Sequence, residues 1–331
     1  MDQLNKSMFK VSALITLLSV SFVYLVPTQA TAAEPLLPVR ALFTQIYGVP
    51  SIGNGAADLG IWDKADLKVT LTQGSTVVAG LVTDSVDIAW SAPMPFIAAI
   101  AQGAKIKLIG STSNVFDQYI IVRKDLNVKN LAELRRVKNL KVGITSTASS
   151  GNFGVAKLAK KNSWNPKNYS ILTLGSLDNL RAALSRGTID MFTWSAGAAF
   201  ALRDSGAANL LGNLQYVVGP IPFGMLAASE TAIKDKPASI KAFCNGYFSA
   251  QTILKKDPAA ATKILVAKGG LDPIKGPEIV NSGLKFQANN GKIAESAWQA
   301  MADATMLTVP DIKNLTAQDV KNMFVSCDSL K

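Results

Sequence analysis

The sequence of 331 residues contains no histidine. This absence excludes Ser-His-Asp and Cys-His catalysis, His-based zinc sites and the commonest general base near neutral pH. Lysine, glutamate and tyrosine remain available for acid–base work, so composition disfavours an enzyme without ruling one out. We therefore expect no catalytic residues, no metal site and no cofactor.

Cysteine is nearly absent, because Cys244 and Cys327 are the only two. In an oxidising compartment they can form a disulfide that closes one long loop. Alternatively, each lies buried as a separate small apolar side chain. Neither has the sequence context of a catalytic nucleophile, and the sequence leaves both alternatives open.

Clusters of positive charge are missing although the formal net charge is +11. Lysine and arginine are scattered along the chain, and aromatic residues do not alternate with them. This distribution favours the solvated basic surface of an exported protein over a nucleic-acid partner.

No hydrophobic run is long enough to span a membrane with ease. The most apolar segment, residues 11–26, follows Lys6 and Lys10 and precedes the small residues that end at Ala32 and Ala33. This order is typical of a secretory signal peptide cut after Ala32 or Ala33, with an uncleaved anchor as the alternative. Since no cysteine lies near the cleavage point, we expect a periplasmic protein without a lipid anchor.

One sequence pattern occurs twice in the chain. Residues 74–96 (GSTVVAGLVTDSVDIAWSAPMPF) and 175–200 (GSLDNLRAALSRGTIDMFTWSAGAAF) share Gly-Ser, an apolar helical stretch, a short strand, Trp-Ser-Ala and a second helix. Such an internal repeat indicates two similar α/β lobes rather than a short-period solenoid. The alternation of strands with helices predicts mainly parallel sheets covered on both faces.

The order of the elements divides the chain into four parts. We interpret residues 1–33 as the signal peptide, 34–121 as the first part of one lobe, 122–224 as the second lobe, and 225–331 as a mostly helical return to the first lobe. An interrupted first lobe requires two chain crossings, and two crossings form a hinge.

Helix starts that follow strands are the candidate ligand contacts, because their free N–H groups bind oxyanions at the carboxyl ends of strands. Ordinary N-capping explains any single serine, whereas the matched set in two lobes favours a ligand. The predicted contacts are Tyr47, Asn54, Ser75, Thr76, Trp90, Ser91, Ser149, Ser150, Gly151, Asn152, Trp194 and Ser195.

Several of these residues have a second interpretation. Trp90 and Trp194 form either ligand-contacting walls or parts of the core. The loop at residues 145–154 resembles an anion cradle but lacks P-loop spacing, so nucleotide binding is not expected. Asp87 and Asp190, at matched places in the repeat, are interpreted as structural residues.

An ordered set of motifs resembles the substrate-binding proteins of ABC importers, in the branch for nitrate, sulfonate, taurine and thiamine-precursor uptake. The motifs are ADLGIW (57–62), SAPMPFIAAIAQGAKIKLI (91–109), NLAELRRVKNLKVGIT (130–145), LRAALSRGTIDMFTW (180–194) and IKDKPASIKAFCNGYFSAQTILKKDPAAATKIL (233–265). The resemblance covers nearly the whole mature chain. It implies an α/β fold of the type-II periplasmic-binding-protein class, with two Rossmann-like lobes joined by a two-strand hinge.

The resemblance also implies the function. We expect the periplasmic solute-binding component of an ABC importer, a monomer that captures a sulfonate, nitrate or organic carboxylate and delivers it to an inner-membrane permease. The alternatives are a thiamine-precursor-type heterocycle stacked on Trp90 or Trp194, and a sensor that presents its ligand to a receptor. One enzyme with this fold makes the thiamine pyrimidine from its own histidine, a chemistry that this composition excludes.

Overall fold

The computed structural model describes residues 35–330, so the predicted signal peptide lies outside the described residues. The described chain forms two mixed β-sheets surrounded by helices. The first sheet has the spatial order β11 (Gln287–Gly291), β4 (Ile106–Ser113), β10 (Gly224–Ser229), β3 (Ile88–Ser91), β1 (Val39–Phe43) and β2 (Val69–Gln73). The second has the order β7 (Tyr169–Thr173), β6 (Leu140–Ile144), β8 (Met191–Trp194), β5 (Tyr119–Arg123) and β9 (Ala208–Asn213).

Helices connect the strands and form most of the last hundred or so residues of the chain. The helices before β9 are α1 (Ile61–Lys64), α2 (Val77–Val82), α3 (Pro93–Ala101), α4 (Leu131–Leu134), α5 (Ser150–Lys161), α6 (Leu177–Ser185) and α7 (Ala196–Asp204). Those after β9 are α8 (Gln215–Val218), α9 (Glu230–Asp235), α10 (Pro237–Lys256), α11 (Pro258–Gly269), α12 (Gly276–Leu284), α13 (Ala297–Thr308) and α14 (Ala317–Asn322). Short 3-10 helices lie at Val49–Ala56, Lys124–Leu126, Pro166–Asn168 and Cys327–Ser329. Among the described helices, none combines the length and the apolar character that a membrane crossing requires.

Local sequence explains where the longest helices begin and end. Pro237 starts α10 and Pro258 starts α11, at the first helical position where a missing N–H costs nothing. Between them, the side chain of Asp257 accepts a hydrogen bond from the amide of Ala260 and caps α11. Gly270 ends α11 with a φ of 67°, a left-handed conformation that suits glycine.

The expectation of mainly parallel sheets was wrong, because both sheets are mixed. In the first sheet β1 is parallel to β2 and β3, while β10 is antiparallel to β3 and β4. In the second, β6 is parallel to β7 and β8, while β5 is antiparallel to β8 and β9. The strands β5 and β10 are each the first strand after the chain passes over from the other sheet. Since they start at the edge where the parallel strands end, they must run in the opposite direction.

The chain passes between the two sheets twice, at residues 114–118 and 214–223. The first passage joins β4 to β5, and the second joins β9 to β10 through α8. Because β5 lies wholly in the second sheet, the predicted boundary between residues 121 and 122 falls inside a strand.

The sequence repeat folds as a structural repeat. The first copy forms α2, β3 and α3, and the second forms α6, β8 and α7. Asp87 precedes β3 and pairs with Arg40 at 2.8 Å, while Asp190 precedes β8 and pairs with Arg123 at 3.0 Å. Both aspartates lie at the strand ends that face away from the passages between sheets, which supports their interpretation as structural residues.

The two cysteines form a disulfide, which decides between the two alternatives left by the sequence. Cys244 of α10 is bonded to Cys327, with 6.3 Å between the Cα atoms. Both belong to the buried cluster that also contains Phe43, Trp62 and Tyr247. The bond therefore fastens the C-terminal end of the described chain to the core of the first sheet.

Candidate functional site

The carboxyl ends of the parallel strands in both sheets meet the passages between the sheets. At this edge of the second sheet, Tyr119 at the start of β5 is paired with Trp194 at the end of β8. At the corresponding edge of the first sheet, Met225 near the start of β10 is paired with Ser91 at the end of β3. The topology thus turns the strand ends of the two sheets toward one cleft.

A cavity of about 380 Å³ lies in this region. Its walls come from the segment after β1, the first passage, α6, the start of α7, and the region from α11 to α12. The lining residues are Gln45, Tyr47, Gly48, Val49, Pro50, Asp117, Leu177, Arg181, Trp194, Ser195, Ala196, Gly197, Ala198, Ala201, Asp204, Ser205, Leu265, Gly269, Gly270, Leu271, Asp272, Lys275 and Ile279. The cavity is of the size expected for a small organic molecule.

The start of α7 presents backbone N–H groups to the cavity. Ser195 is the N-cap residue, and its hydroxyl makes no capping hydrogen bond. The helix makes its first backbone hydrogen bond from Ala199 to the Ser195 carbonyl, so the amides of Ala196, Gly197 and Ala198 have no partner within the helix. All three residues line the cavity. The contrast is α5, where the Ser149 hydroxyl caps the amide of Asn152.

Two aromatic side chains and one arginine form further parts of the wall. Trp194 lines the cavity beside Ser195, and Arg181 of α6 reaches it with 41% of its side chain exposed. Tyr47 lies beneath Lys268, whose ammonium is 5.4 Å from the ring centroid and 3.4 Å from the hydroxyl. Asp58 holds that ammonium at 2.6 Å, which fixes the lysine over the tyrosine.

Asp117 is a buried acidic residue in the cavity wall that sequence reasoning missed. It lies in the first passage, is only 3% exposed, and accepts a hydrogen bond from the amide nitrogen of Asn213 at 2.6 Å. Burial raises the pKa of its carboxyl above the ordinary value, while the Asn213 hydrogen bond and the charge of Lys285 act against this rise. The first passage has no periodic sequence pattern from which a site residue could be predicted. The one sequence feature that could have indicated Asp117 is its position as an acidic residue between two apolar strands.

Two ion pairs connect α7 to α12 beside the cavity. Asp204, in the wall, pairs with Lys275 at 3.2 Å, and Arg203 pairs with Glu278 at 3.3 Å. Arg203 also bonds Asp204 at 2.8 Å, and this hydrogen bond, with that of Lys275, holds the pKa of the Asp204 carboxyl below its ordinary value. The α7 helix follows a strand of the second sheet, whereas α12 leads into β11 of the first sheet. The two ion pairs therefore connect a helix of the second sheet to a helix of the first sheet.

Three of the predicted ligand contacts line the cavity, namely Tyr47, Trp194 and Ser195. The Ser-rich loop before α5 lies beside the first passage instead. There the Gln118 amide donates to the Ser150 hydroxyl at 2.9 Å and accepts from the Thr193 hydroxyl at 2.8 Å. Ser149, Ser150, Gly151 and Asn152 are therefore near the cleft edge of the second sheet but outside the cavity wall.

The other predicted contacts also lie outside the cavity wall. Trp90 is 5% exposed, and its indole N–H donates to Thr112 at 2.9 Å. Asn54 is fully buried, and its amide donates to the Ile46 carbonyl at 3.0 Å. The remaining positions, Ser75, Thr76 and Ser91, lie at the start of α2 or the end of β3. The N-cap of α2 is Thr76 rather than Ser75, and its side chain makes no capping hydrogen bond.

The fold is that of the periplasmic binding proteins. The structure of the alkanesulfonate-binding protein SsuA from Xanthomonas axonopodis pv. citri, bound to MOPS, is similar with a TM-score of 0.73, 20% identity, and coverage of 89% of this chain and 100% of that chain. The Candida albicans CA3427 product, described as having the generic periplasmic binding protein fold, has a TM-score of 0.66, 17% identity, and coverage of 87% and 94%. The nitrate-binding protein NrtA from Synechocystis PCC 6803 has a TM-score of 0.67, 14% identity, and coverage of 89% and 86%.

The sequence family is narrower than the fold. Residues 52–261 match the family model described as NMT1/THI5 like, so the chain belongs to the NMT1/THI5-like family. No curated protein sequence matches the chain. The two solute-binding structures above agree with the resemblance to nitrate and sulfonate binders drawn from the sequence.

Proposed function

We propose that the chain is the solute-binding component of an ABC importer and captures a small oxyanion, such as a sulfonate, nitrate or an organic carboxylate. The observation that carries this proposal is the start of α7 in the cavity wall. The three residues whose amides have no helical partner, the N-cap residue Ser195 and Arg181 all line this one cavity. Helix N-termini bind oxyanions with N–H groups and the positive end of the helix dipole.

The mechanism is binding followed by closure, and no covalent bond changes. An open form receives the anion on one wall of the cleft. Movement about the two passages at residues 114–118 and 214–223 then brings the opposite wall into contact and excludes water. Exclusion of water strengthens each hydrogen bond to the anion, because the local dielectric constant falls.

The cellular context of this proposal is export and import. A signal peptide cut near Ala32 or Ala33 would deliver the chain to the periplasm, where the loaded form would dock on a permease. The periplasmic and ABC-import neighbours support this context. We propose a monomer organised as a first lobe interrupted by a second lobe, with the chain crossing between them at residues 114–118 and 214–223.

Calorimetric titration of residues 34–331 with alkanesulfonates, nitrate, sulfate and carboxylates tests the proposal. An anion that binds should bind about tenfold or more weakly to Arg181→Gln, because a hydrogen bond to a charged group contributes about 1.5–3 kcal/mol. Arg186→Gln is the matched control, since Arg186 lies exposed just after the same helix and outside the cavity. Equal affinity in the two variants would show that Arg181 does not contact the anion and would contradict this arrangement of the site.

A heterocycle is the second candidate, and two observations favour it. Trp194 offers a partly exposed aromatic face in the cavity, and Asp117 supplies a carboxylate for ring nitrogens. Pyrimidines added to the same titrations distinguish the candidates. If only aminopyrimidines bind, and if their binding is lost in Trp194→Ala but retained in Arg181→Gln, the ligand is a heterocycle stacked on Trp194 and not an oxyanion.

A further inference from the structure

The positive charge of the protein is concentrated in the part of the chain that forms the second sheet. Residues 119–213, from the start of β5 to the end of β9, contain fourteen Lys and Arg against five Asp and Glu, a net charge of +9. The rest of the described chain, residues 35–118 and 214–330, contains seventeen Lys and Arg against sixteen Asp and Glu, a net charge of +1. Almost all of the excess positive charge therefore belongs to one sheet and its helices.

The sheet topology brings many of these basic residues to one end of the second sheet. Because β8 ends at Trp194 in the cavity wall, the parallel strands β6, β7 and β8 all begin at the end remote from the cavity. Lys141 is the second residue of β6, and its carbonyl accepts a hydrogen bond from the Asp190 amide just before β8 begins. Lys167 lies in the 3-10 helix directly before β7. Basic residues that are far apart in the sequence thus lie at the same end of the sheet.

The turns beside these strand starts add further basic residues. Arg135 lines one small hollow together with Tyr169, so the segment between α4 and β6 lies against the start of β7. Arg186 follows α6 and leads toward β8. Its neighbour Gly187 lies against Arg123 at the end of β5, since a side chain there would place its first carbon 2.6 Å from the guanidinium. We call this surface the basic end and define it by Arg135, Arg136, Lys138, Lys141, Lys167 and Arg186.

The acidic residues nearby do not neutralise the basic end. All six of its residues are exposed, and within residues 35–330 none of the six forms an ion pair. Asp125 and Asp190 both pair with Arg123 instead, and Glu133 accepts hydrogen bonds at the start of α4. The basic end therefore presents an uncompensated positive potential to an anionic partner.

The form of the basic end favours an extended anionic surface over a nucleic acid. Its long side chains lie exposed on turns and at strand starts, and none of them lines the cavity of the candidate site. Single-stranded nucleic acids are held by exposed aromatic rings on which bases stack. Trp164, the tryptophan at this end, is buried and packs against Tyr169 with 5.7 Å between the ring centroids. A bilayer with anionic headgroups attracts exposed Lys and Arg through its summed surface potential, without a pocket or a stacking ring.

We propose that the basic end binds the surface of a bilayer that contains anionic phospholipids. The partner is the array of phosphate headgroups rather than one phosphate group. In the exported context proposed above, this contact holds the chain beside the membrane that contains its permease. Because the basic end and the cavity lie at opposite ends of the second sheet, a chain bound in this way keeps its cavity open to solute. The inference rests on the distribution of charge and not on oxyanion capture.

Co-sedimentation of residues 34–331 with lipid vesicles tests the inference. The vesicles contain either phosphatidylcholine alone or equal parts of phosphatidylcholine and phosphatidylglycerol. We expect binding to the anionic vesicles only, and a strong loss of binding at high salt, because screening weakens the attraction between exposed charges. The triple variant Arg135→Gln, Arg136→Gln, Lys138→Gln should bind these vesicles about tenfold to a hundredfold more weakly. Each basic residue near an anionic surface contributes about fivefold in affinity.

A second triple variant controls for the change in net charge. Lys64→Gln, Lys68→Gln, Lys105→Gln removes three positive charges from exposed positions in the part of the chain that forms the first sheet. Lys68 directly precedes β2 and Lys105 directly precedes β4, so both lie at the corresponding end of that sheet. This control should bind the vesicles as the wild type does. Since all six substituted positions are exposed, both variants should also keep the unfolding temperature of the wild type.

Each other outcome overturns the inference. Absence of binding to the anionic vesicles, or an equal loss in the two triple variants, shows that the basic end is not a membrane-binding surface. Binding of single-stranded DNA without binding of vesicles makes a nucleic acid the partner. Displacement from the vesicles by free glycerol phosphate indicates a pocket for one headgroup rather than a surface. Solute titration of the same variants keeps this inference separate from the proposed function, because none of the substituted residues lines the cavity.

Discussion

The side chain of Asp190 accepts a hydrogen bond from the backbone amide of Lys141 at 2.8 Å, and the Asp190 amide donates to the Lys141 carbonyl at 2.7 Å. Asp87 and Arg40 make the same two contacts in the first sheet, at 2.7 and 2.9 Å. Each aspartate thereby joins its own strand to the parallel neighbour at the end remote from the cavity. This shared pair of hydrogen bonds explains why an aspartate occurs at the same place in both copies of the repeat.

Asp87→Asn should lower the free energy of unfolding by about 2 kcal/mol, because hydrogen bonds to charged groups contribute about 1.5–3 kcal/mol. The Asp87 side chain is 3% exposed and also contacts Lys236 at 2.8 Å. Because the Arg40 side chain is half-exposed, its ion pair with Asp87 contributes less to stability, which limits the loss of unfolding free energy. Urea denaturation measures the change. Asp311→Asn, at an exposed position, is the control and should stay within about 0.5 kcal/mol of the wild type.

The contribution of Asp87 should also depend on pH. Burial alone raises the pKa of its carboxyl, but hydrogen bonds from Arg40 and Lys236 outweigh burial and hold the pKa below the ordinary value. The stabilisation is therefore present above the unfolded pKa, about 3.9. It is lost as the pH falls through the lower folded value. Urea midpoints at pH 7, 5 and 3 should show wild type and Asp87→Asn converging only at the lowest pH, and a constant difference would contradict this assignment.

Glu278→Gln should weaken solute binding by about two- to fivefold, because it removes an exposed ion pair with Arg203 that bridges α7 and α12. The effect should shrink at high salt, as screening reduces the contribution of the pair in the wild type. Glu295→Gln is the matched control, since its partner Lys321 lies far along the chain from the cavity residues. Titrations of both variants at low and high ionic strength measure the difference. An equal loss in both would show that the bridge has no special part in closure.

Replacement of both Cys244 and Cys327 by alanine should lower the free energy of unfolding by about 2–4 kcal/mol, because the bond closes a long loop. The two residues are 83 positions apart. Solute affinity should not change, since neither residue lines the cavity. Denaturation and titration of the same preparation give both values. A loss of affinity without a loss of stability would contradict the structural role.

The two-lobed fold and part of the site could be predicted from the sequence because they follow from local patterns. The repeat located Trp194 and Ser195, which line the cavity at the end of β8. Tyr47 lies four residues after the end of β1, before the 3-10 helix that begins at Val49. In each case the end of a strand, followed by a helix or turn, can be recognised from a few consecutive residues.

The remainder of the site could not be predicted because it depends on contacts between distant segments. Lys275 and Leu271 reach the cavity from the C-terminal helices, whose arrangement no local pattern specifies. Asp117 is held in its position by a hydrogen bond from Asn213 of β9, 96 residues further along the chain. The mixed direction of the strands has the same origin, since it follows from passages between sheets rather than from the strands themselves.

The position of β10 between β3 and β4 sets an order of assembly during synthesis of the chain. A chain that has emerged as far as Asn213 contains every strand of the second sheet, which can close on itself. The same chain lacks the strand that joins β3 to β4, so its N-terminal sheet stays split into two parts with unpaired edges. Residues 224–229 complete it as a late central strand. A truncation before residue 224 should thus leave one sheet able to form and the other exposed to aggregation.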